Sequence, residues 1–150
     1  MKIINLKHRE DLENNSKLSR TQTNFMKLIE ELNKKNISKQ IIETINEHIE
    51  NLNSSLVSDK VFRKLLIKKQ NKILRLLEKE YKLVVKNYYQ NLWLIVGMTS
   101  IGLPMGLAFG LGFDNMGLLA SGLPIGMAIG LAIGVTMDKK ASKEGRQLNL

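Results

Sequence analysis

The chain has no cysteine, only two prolines and only one tryptophan among its 150 residues. The missing cysteine excludes disulfides, thiol catalysis and zinc sites with cysteine ligands. The two histidines, His8 and His48, lie 40 residues apart and have no carboxylates at metal-ligand spacing. We therefore assign each histidine a structural or solvated role, and the sequence predicts no metal centre and no cofactor.

Charge is almost absent from one third of the chain. Residues 87–137 contain a single charged side chain, Asp114, together with ten of the eleven glycines and both prolines. Residues 1–86 carry 19 Lys and Arg and 11 Asp and Glu. Because the two parts differ this much, a single-core globule is excluded. We predict a cytoplasmic helical domain at residues 1–86, a transmembrane hairpin at 87–138 and a basic cytoplasmic tail at 139–150.

Two long apolar runs lie within the uncharged part, at residues 92–113 and 116–137. At ~1.5 Å per residue, each run reaches about 33 Å as a helix, against a bilayer hydrocarbon core of about 30 Å. Only Asp114 and Asn115 separate them, so we predict two transmembrane helices in a tight hairpin. A buried hairpin of a soluble protein is the alternative, but 86 polar residues are too few to cover it. A signal peptide is not expected, because the chain starts with a polar segment.

Basic residues flank both runs, whereas the turn between them holds only an acid. They are Lys82 and Lys86 before the first run, and Lys139, Lys140, Lys143 and Arg146 after the second. Cytoplasmic loops of membrane proteins carry this excess of lysine and arginine, so we expect both termini in the cytoplasm and the protein in an inner or cytoplasmic membrane. Tyr88, Tyr89 and Trp93 lie at the same boundary, where aromatic rings are enriched.

A ten-residue sequence occurs once in each run. Residues 102–111 read GLPMGLAFGL and residues 122–131 read GLPIGMAIGL, with seven identical positions. The repeat places Pro104 and Pro124 at similar distances from the turn, and each proline removes a backbone donor and bends its helix. We expect the two prolines to lie at nearly the same depth and to act as hinges.

Small residues occupy every second position of both runs. Strands can show this period, but proline and repeated glycine weaken strands, and two strands cannot close a barrel. On a helix, residues four apart stack on one face, so the alternation gives each helix two opposite rows of small residues. The glycine rows are Gly102, Gly106 and Gly110 in the first helix and Gly122, Gly126, Gly130 and Gly134 in the second. We predict that one row of each helix packs within the hairpin and that the other packs against another subunit.

These residues resemble the glycine-zipper class of membrane proteins, whose GxxxGxxxG helices assemble into bundles and sometimes pores. The resemblance covers residues 97–137. It implies close helix packing and self-assembly, but no particular activity.

Three segments of the polar part have apolar residues at helical spacing. They cover residues 18–32, 37–56 and 62–84. Polar stretches separate them, and Ser58 or Asp59 can cap the third helix. No breaker occurs between Lys60 and Val96, so we expect the third segment to continue into the first transmembrane helix as one long helix. The predicted fold class is all-α, a transmembrane helical hairpin with an amino-terminal cytoplasmic domain that is a coiled coil or a three-helix domain.

Most of the net charge of +9 lies beside the apolar runs. Residues 60–86 carry ten basic side chains against Glu78 and Glu80. This position favours anionic lipid as the partner over nucleic acid, because the segment has few aromatic side chains for base stacking. The expected lipid contacts are Lys79, Lys82, Lys86, Lys139 and Lys140.

Motifs of catalysis are missing from the sequence. The carboxylates are spaced as on solvated helix faces, at positions 10, 11 and 13 and at 43, 47 and 50. The glycine-rich sequence lies in apolar runs instead of between a strand and a helix, so it does not fit a phosphate-binding loop. We therefore do not expect an enzyme.

Two functions fit these features. The favoured one is a homo-oligomeric pore or membrane-permeabilising component that is gated by its cytoplasmic helices. A pore lined by small and aliphatic side chains would close by dewetting, and one long helix could transmit the movement that opens it. The alternative is a non-conducting membrane anchor or scaffold that recruits a cytoplasmic protein.

Overall fold

The computed structural model describes residues 2–7 and 16–150 of the chain. His8 and the carboxylates at positions 10, 11 and 13 lie outside the described residues. The regular elements are helices, apart from two strands of two residues each, which confirms the all-α class. The chain forms two compact units. A polar unit ends at Leu83 and also takes in Leu148–Leu150, and a hairpin unit comprises Val84–Gln147.

Three amphipathic helices form the polar unit: α1 (Ser16–Asn33), α2 (Lys39–Asn53) and α3 (Asp59–Tyr81). Each helix places apolar side chains three and four residues apart and buries that face. The fully buried apolar side chains of these helices are Leu18, Phe25, Leu28, Leu32, Ile45, Ile49, Leu52, Phe62, Leu66, Ile73 and Leu77. Burial of this shared core stabilises helices that would be marginal in isolation.

The two loops between the helices of the polar unit differ in their contacts with the rest of the unit. Before α2, the backbone N–H of Ser38 donates a hydrogen bond of 2.7 Å to the hydroxyl of Tyr81 at the end of α3. Between α2 and α3, Leu56 lies beyond the end of α2, and its side chain is fully exposed. Ser58 takes the position before α3 but makes no capping hydrogen bond with its side chain.

The last residues of the chain join the core of the polar unit. Leu148 is fully buried in the hydrophobic cluster formed by α1, α2 and α3. The Lys34 ammonium donates a hydrogen bond of 2.9 Å to Glu31 and lowers the pKa of that carboxyl, and the backbone of Asn149 lowers it further. The end of the chain is therefore held against α1 by apolar and polar contacts.

The expected continuous helix from Lys60 to Val96 is wrong. Helix α3 ends at Tyr81, because Lys82 adopts the left-handed conformation with φ of 54°. Asn87 adopts the same conformation with φ of 62°, immediately before the next helix begins. The two left-handed residues break the helix at both ends of a short connection.

That connection is extended. Val84–Val85 forms strand β1, which pairs with strand β2 (Gln147–Leu148). The N–H of Val84 donates a hydrogen bond of 3.0 Å to the carbonyl of Arg146. Pairing with a distant part of the chain stabilises this conformation, so local periodicity does not predict it.

Two long apolar helices make up the hairpin unit. The first combines α4 (Tyr88–Gly97), a π-helical turn (Met98–Gly102) and α5 (Leu103–Gly112). The second combines a 3₁₀ turn (Met116–Leu118) and α6 (Leu119–Lys143). Both are long and apolar enough to cross a membrane, with 25 and 28 residues.

A short turn joins the two long helices. Asp114 adopts a left-handed conformation with φ of 50°. The N–H of Asn115 donates to the carbonyl of Gly110 at 2.9 Å, and its side chain accepts from the N–H of Gly117 at 3.0 Å. Asn115 therefore satisfies groups at the end of one helix and at the start of the next.

Candidate helix-packing site of the hairpin

Glycines line the contact between the two long helices. The buried glycines are Gly97, Gly102, Gly106 and Gly110 on the first helix and Gly122, Gly126, Gly130 and Gly134 on the second. They include all seven glycines of the two rows that the sequence analysis singles out. Seven of them approach backbone atoms of the opposite helix, so backbone packs directly on backbone there, whereas the nearest neighbour of Gly110 is the side chain of Met116.

An added Cβ atom shows how close the helices are. At Gly122 it would lie 2.6 Å from the Cα of Gly106, and at Gly126 it would lie 2.6 Å from the Cα of Gly102. At Gly134 it would lie 2.5 Å from the Cα of Gln90. These neighbours are backbone atoms, which cannot rotate away as a side chain can. A side chain at any of these positions therefore pushes the helices apart.

Gly97 extends the glycine row of the first helix, although it lies five residues before Gly102. In a regular α-helix this spacing would turn Gly97 away from the row. The π-helical turn contains about one residue more than an α-helical turn. The N–H of Leu103 therefore donates to the carbonyl of Met98, five residues earlier, instead of to the carbonyl four residues earlier. Gly97 consequently faces the second helix, and a Cβ there would lie 2.8 Å from the Cα of Gly130.

Pro104 supplies a reason for the wide turn. Proline has no N–H, so it cannot donate to the carbonyl of Ser100, and its ring clashes with that carbonyl in a regular helix. Widening the preceding turn relieves this clash. Gly97 lies outside the predicted glycine rows, because a uniform spacing of four residues does not reach it. A glycine five residues before the row, with a proline soon after, was the available signal.

The helix contacts place Pro104 and Pro124 in the same part of the hairpin. Gly106 contacts both Leu119 and Gly122, and Gly102 contacts both Gly122 and Gly126. These contacts flank the two prolines. Their equal depth and their role as hinges stay predictions.

The second small-residue row of each helix stays exposed within the hairpin unit. This exposed row consists of Ser100, Pro104, Ala108 and Gly112 on the first helix and of Ala120, Pro124, Ala128, Ala132 and Thr136 on the second. Larger apolar side chains beside it are exposed as well, among them Leu107, Ile125 and Leu131. The two helices therefore pack on each other through their glycine rows, and the exposed row of each helix has no packing partner within this unit.

Three hydroxyl groups in the long helices bond to their own backbone. Thr99 donates to the carbonyl of Ile95 at 2.9 Å, and Thr136 donates to the carbonyl of Ile133 at 2.7 Å. Ser121 donates to the carbonyl of Leu118 at 2.6 Å. The protons of these three hydroxyls are thus satisfied inside their helices.

Asp138 joins the two long helices by hydrogen bonds at the end of the hairpin opposite the turn. Its carboxylate accepts hydrogen bonds from the N–H groups of Tyr89 at 3.2 Å and Gln90 at 2.9 Å, and its side chain is 7% exposed. Asn87 takes the capping position of α4 but makes no capping bond with its side chain. An acid of α6 therefore caps α4, where its charge also complements the helix dipole.

The five lysines proposed to bind lipid belong to both units of the chain. Lys139 and Lys140 share an open cleft of about 410 Å³ with Thr136, Lys143 and Glu144. Lys86 is exposed between β1 and α4, whereas Lys79 and Lys82 belong to the polar unit. The hairpin unit thus presents a compact basic cluster at the end of α6.

No group of three or more histidine, aspartate or glutamate side chains is placed to hold a metal ion among residues 2–7 and 16–150. The chain matches no protein-family model, no curated protein and no solved structure. Function must therefore be argued from the residues themselves.

Proposed function

We propose that this chain is an integral membrane protein that crosses the bilayer twice and self-assembles through the exposed row of its hairpin. In the most apolar window of each long helix, only 22% of the residues are buried. The core helix of a soluble protein is mostly buried, so this exposure supports the membrane assignment. Lipid would solvate the exposed apolar side chains, whereas water would not.

Both termini of the chain are proposed to face the cytoplasm. Lys86, Lys139 and Lys140 lie at the end of the hairpin opposite Asp114, which agrees with the positive-inside rule. The test is labelling of Asn115→Cys and Ser142→Cys in intact cells with a membrane-impermeant thiol reagent. The chain has no other cysteine. We expect labelling of Asn115→Cys only, and the reverse pattern would refute the orientation.

Self-assembly is supported by the exposed row. Lipid tails are as apolar as the helices, so transmembrane helices associate through close packing of small residues. The glycine rows are already used inside the hairpin, whereas Ala128 and Ala132 point outward at the same four-residue spacing. The small side chains of this row let a second hairpin pack closely, although not as closely as the two glycine rows pack on each other.

The assembly is proposed to be a pore or permeabilising component. The observation that carries this proposal is the position of Pro104 and Pro124 on the exposed row. Because Pro104 and Pro124 have no N–H, the carbonyls of Ser100 and Ala120 lack their usual helical donors. At membrane depth, such groups are tolerated where they are buried in protein or line a water-filled cavity. Self-assembly through this row encloses them.

Apart from the hydroxyls of Ser100 and Thr136, the row is small and apolar, so a narrow pathway would be dry and closed until the helices rearrange. The polar unit is proposed to control that rearrangement. It cannot do so through one rigid helix from Lys60 to Val96, because α3 ends at Tyr81.

Dye release from liposomes tests the pore. Purified full-length protein should release a small dye from anionic liposomes, and Ala128→Ile with Ala132→Ile should lower the release by obstructing assembly. Leu131→Phe, which adds bulk at an exposed large side chain, is the matched control. Intact oligomers that release no dye, with or without cross-linking of the polar unit, would refute the pore.

A membrane scaffold is the second candidate, and it is supported by a different surface. Leu56, Val57 and Val61 expose apolar side chains around the start of α3, with Leu56 fully exposed. A cytoplasmic protein could cover them. The scaffold predicts that a cytoplasmic protein copurifies in stoichiometric amount and is lost with Leu56→Ser, while liposomes containing the protein stay sealed.

A further inference from the structure

The exposed face of α3 carries positive charge from its first turn to its last. No aspartate or glutamate occurs between Lys60 and Leu77. Six exposed side chains form this basic face: Lys60, Lys64, Lys68, Lys72, Arg75 and Lys79. Residues three and four apart lie on the same side of a helix, so the six follow one another along α3. From Lys60 to Lys79 the basic face is ~28 Å long.

The polar unit does not neutralise these cations. Within residues 2–7 and 16–150, none of the six side chains forms an ion pair. The opposite side of α3 is the apolar one, with Phe62 and Leu66 buried in the core. Like charges four residues apart on a helix repel one another, so a partner with many negative charges would stabilise the basic face.

Exposed apolar side chains lie where the basic face begins. Val61 is exposed and precedes Lys64 by three residues and Lys68 by seven, so it lies on the same side of α3. Leu56 and Val57 are exposed in the loop that leads into α3. Leu56 is fully exposed, so no side chain of its own unit covers it. These three residues form the apolar end of the basic face.

An anionic membrane surface matches this combination of features. Elements that lie on membranes place cations among the headgroups and aliphatic side chains at the boundary with the acyl chains. Single-stranded nucleic acid would match the cations, but its bases stack on aromatic rings, and the basic face has none. A fluid acyl layer can receive a projecting side chain such as Leu56 without a preformed pocket, which a protein partner would need.

We propose that the polar unit docks on an anionic leaflet through the basic face of α3 and inserts the apolar end among the acyl chains. The inference rests on the proposed membrane assignment, because the hairpin keeps the polar unit next to a leaflet. Lys79 already belongs to the expected lipid contacts, and the docking surface continues from it along the whole of α3. Each cation near the surface strengthens attachment about fivefold. The charge of the lipid then decides whether the polar unit is attached or free.

A fluorescent probe at Ser58 tests the docking. Ser58 is exposed, follows Val57 directly and makes no capping hydrogen bond with its side chain. Full-length Ser58→Cys has one thiol, since the native chain has none. The thiol carries an environment-sensitive fluorophore, and the protein is reconstituted in nanodiscs of phosphatidylcholine, alone or with an equal amount of phosphatidylglycerol. Lipids that are spin-labelled on the acyl chain quench a fluorophore that enters the bilayer.

We expect quenching of the Ser58 probe in the anionic nanodiscs and little quenching in the neutral ones. The control probe is Asn24→Cys, at an exposed position of α1. It should stay unquenched in both lipids, because the basic face belongs to a different helix.

Two sets of substitutions distinguish the basic face from net charge alone. The first set is Lys64→Gln, Lys68→Gln and Lys72→Gln. The second set removes three exposed cations from α1 and consists of Lys17→Gln, Arg20→Gln and Lys27→Gln. Glutamine is a good helix former, so both sets should fold. The first set should weaken attachment on the order of 100-fold and abolish the quenching, whereas the second should leave the quenching unchanged.

The apolar end has a test of its own. Leu56→Ser should lower the quenching of the Ser58 probe, because the side chain no longer enters the acyl layer. Leu56→Met keeps an apolar side chain and should retain the quenching. Equal quenching in the two variants would refute insertion of Leu56.

An unquenched Ser58 probe in anionic nanodiscs would overturn the docking. If the protein nevertheless stays in the nanodiscs in about 1 M salt, which screens surface attraction, the hairpin is inserted and the proposed function stands. Leu56 would then be open to the cytoplasmic protein of the scaffold. Equal loss of quenching in both substitution sets would also overturn the docking. Release of the protein from the nanodiscs by this salt would refute the membrane-spanning hairpin, and the docking would fail with it.

Discussion

The carboxylate of Asp138 accepts a hydrogen bond of 2.9 Å from the backbone N–H of Gln90, although 48 residues separate them. This bond joins the end of the second long helix to the start of the first. At the other end, Asn115 bonds to both helices within the turn. Polar caps therefore close both ends of the hairpin, and between them glycines hold the helices together. Asp138 is a buried acid, and in the part of the chain that the structure describes no lysine or arginine forms an ion pair with it. The N-terminus of α4 takes that place.

Replacement of Asp138 should loosen the start of α4. Asp138→Ala removes both capping bonds and the favourable charge, which costs about 1–2 kcal/mol of hairpin stability. Asp138→Asn keeps an acceptor and should show a smaller loss. Hydrogen exchange at the amides of Tyr89 and Gln90 in detergent measures the effect. The control is Ser142→Ala, at an exposed position, and equal exchange in all variants would contradict the cap.

Gly126→Ala should separate the two helices of the hairpin. Its Cβ would lie 2.6 Å from the Cα of Gly102, so backbone must move, at a cost of about 1–3 kcal/mol. Gly112→Ala is the matched control, since nothing lies within 4 Å of a Cβ there. Unfolding by a denaturing detergent, followed by the fluorescence of Trp93, compares the two. Equal midpoints would argue against close packing at Gly126.

Ala132→Ile should break contacts between copies and leave the hairpin itself folded. Ala132 is exposed in the hairpin unit, so a larger side chain meets nothing in its own chain, but it obstructs a second hairpin that packs on the exposed row. The mass of the detergent-solubilised protein should fall, while the Trp93 unfolding midpoint stays unchanged. An unchanged mass would show that copies do not meet through this row.

The sequence was informative wherever a pattern depends on local chemistry. The uncharged runs predicted two helices that are long and apolar enough to cross a membrane, and this is confirmed. The four-residue spacing of Gly122, Gly126, Gly130 and Gly134 identified positions that the structure buries together. Composition and helical periodicity are enough for such statements, because both are set by neighbouring residues.

Features that depend on distant parts of the chain could not be predicted. Strand β1 interrupts the expected long helix because it pairs with the end of the chain. Gly97 reaches the glycine row through the π-helical turn before Pro104. Residues 2–7 are held by asparagines, such as Asn46 of α2, that look like ordinary polar residues of an amphipathic helix. In each case a partner more than 30 residues away, or a local change in helix geometry, decides the outcome.

Lys139 and Lys140 should be shielded by anionic lipid. In nanodiscs, attraction to anionic headgroups contributes about 1 kcal/mol per lysine near the surface, so their labelling by an amine reagent should slow about fivefold relative to neutral nanodiscs. Lys27 and Lys39, exposed on the polar unit, serve as internal controls. Salt at about 1 M should remove the difference, because it shortens the screening length to ~3 Å. Equal labelling in both lipids would contradict the contact.

Acidification should destabilise the polar unit through His48. Burial lowers the pKa of His48 from its ordinary value of 6.5, and the Lys69 ammonium, 3.4 Å from its Nδ1, lowers it further, while Glu47 opposes this. The unfolded chain then binds more protons than the folded chain, so the contribution of His48 to the free energy of unfolding is full above pH 6.5 and falls as the pH decreases below that value.

Thermal unfolding followed by circular dichroism at pH 7.5 and 5.5 should show this loss of stability in the native chain. His48→Gln should reduce it, because glutamine does not titrate, and Lys69→Gln should reduce it partly. If His48→Gln loses as much stability as the native chain between these pH values, groups other than His48 cause the loss.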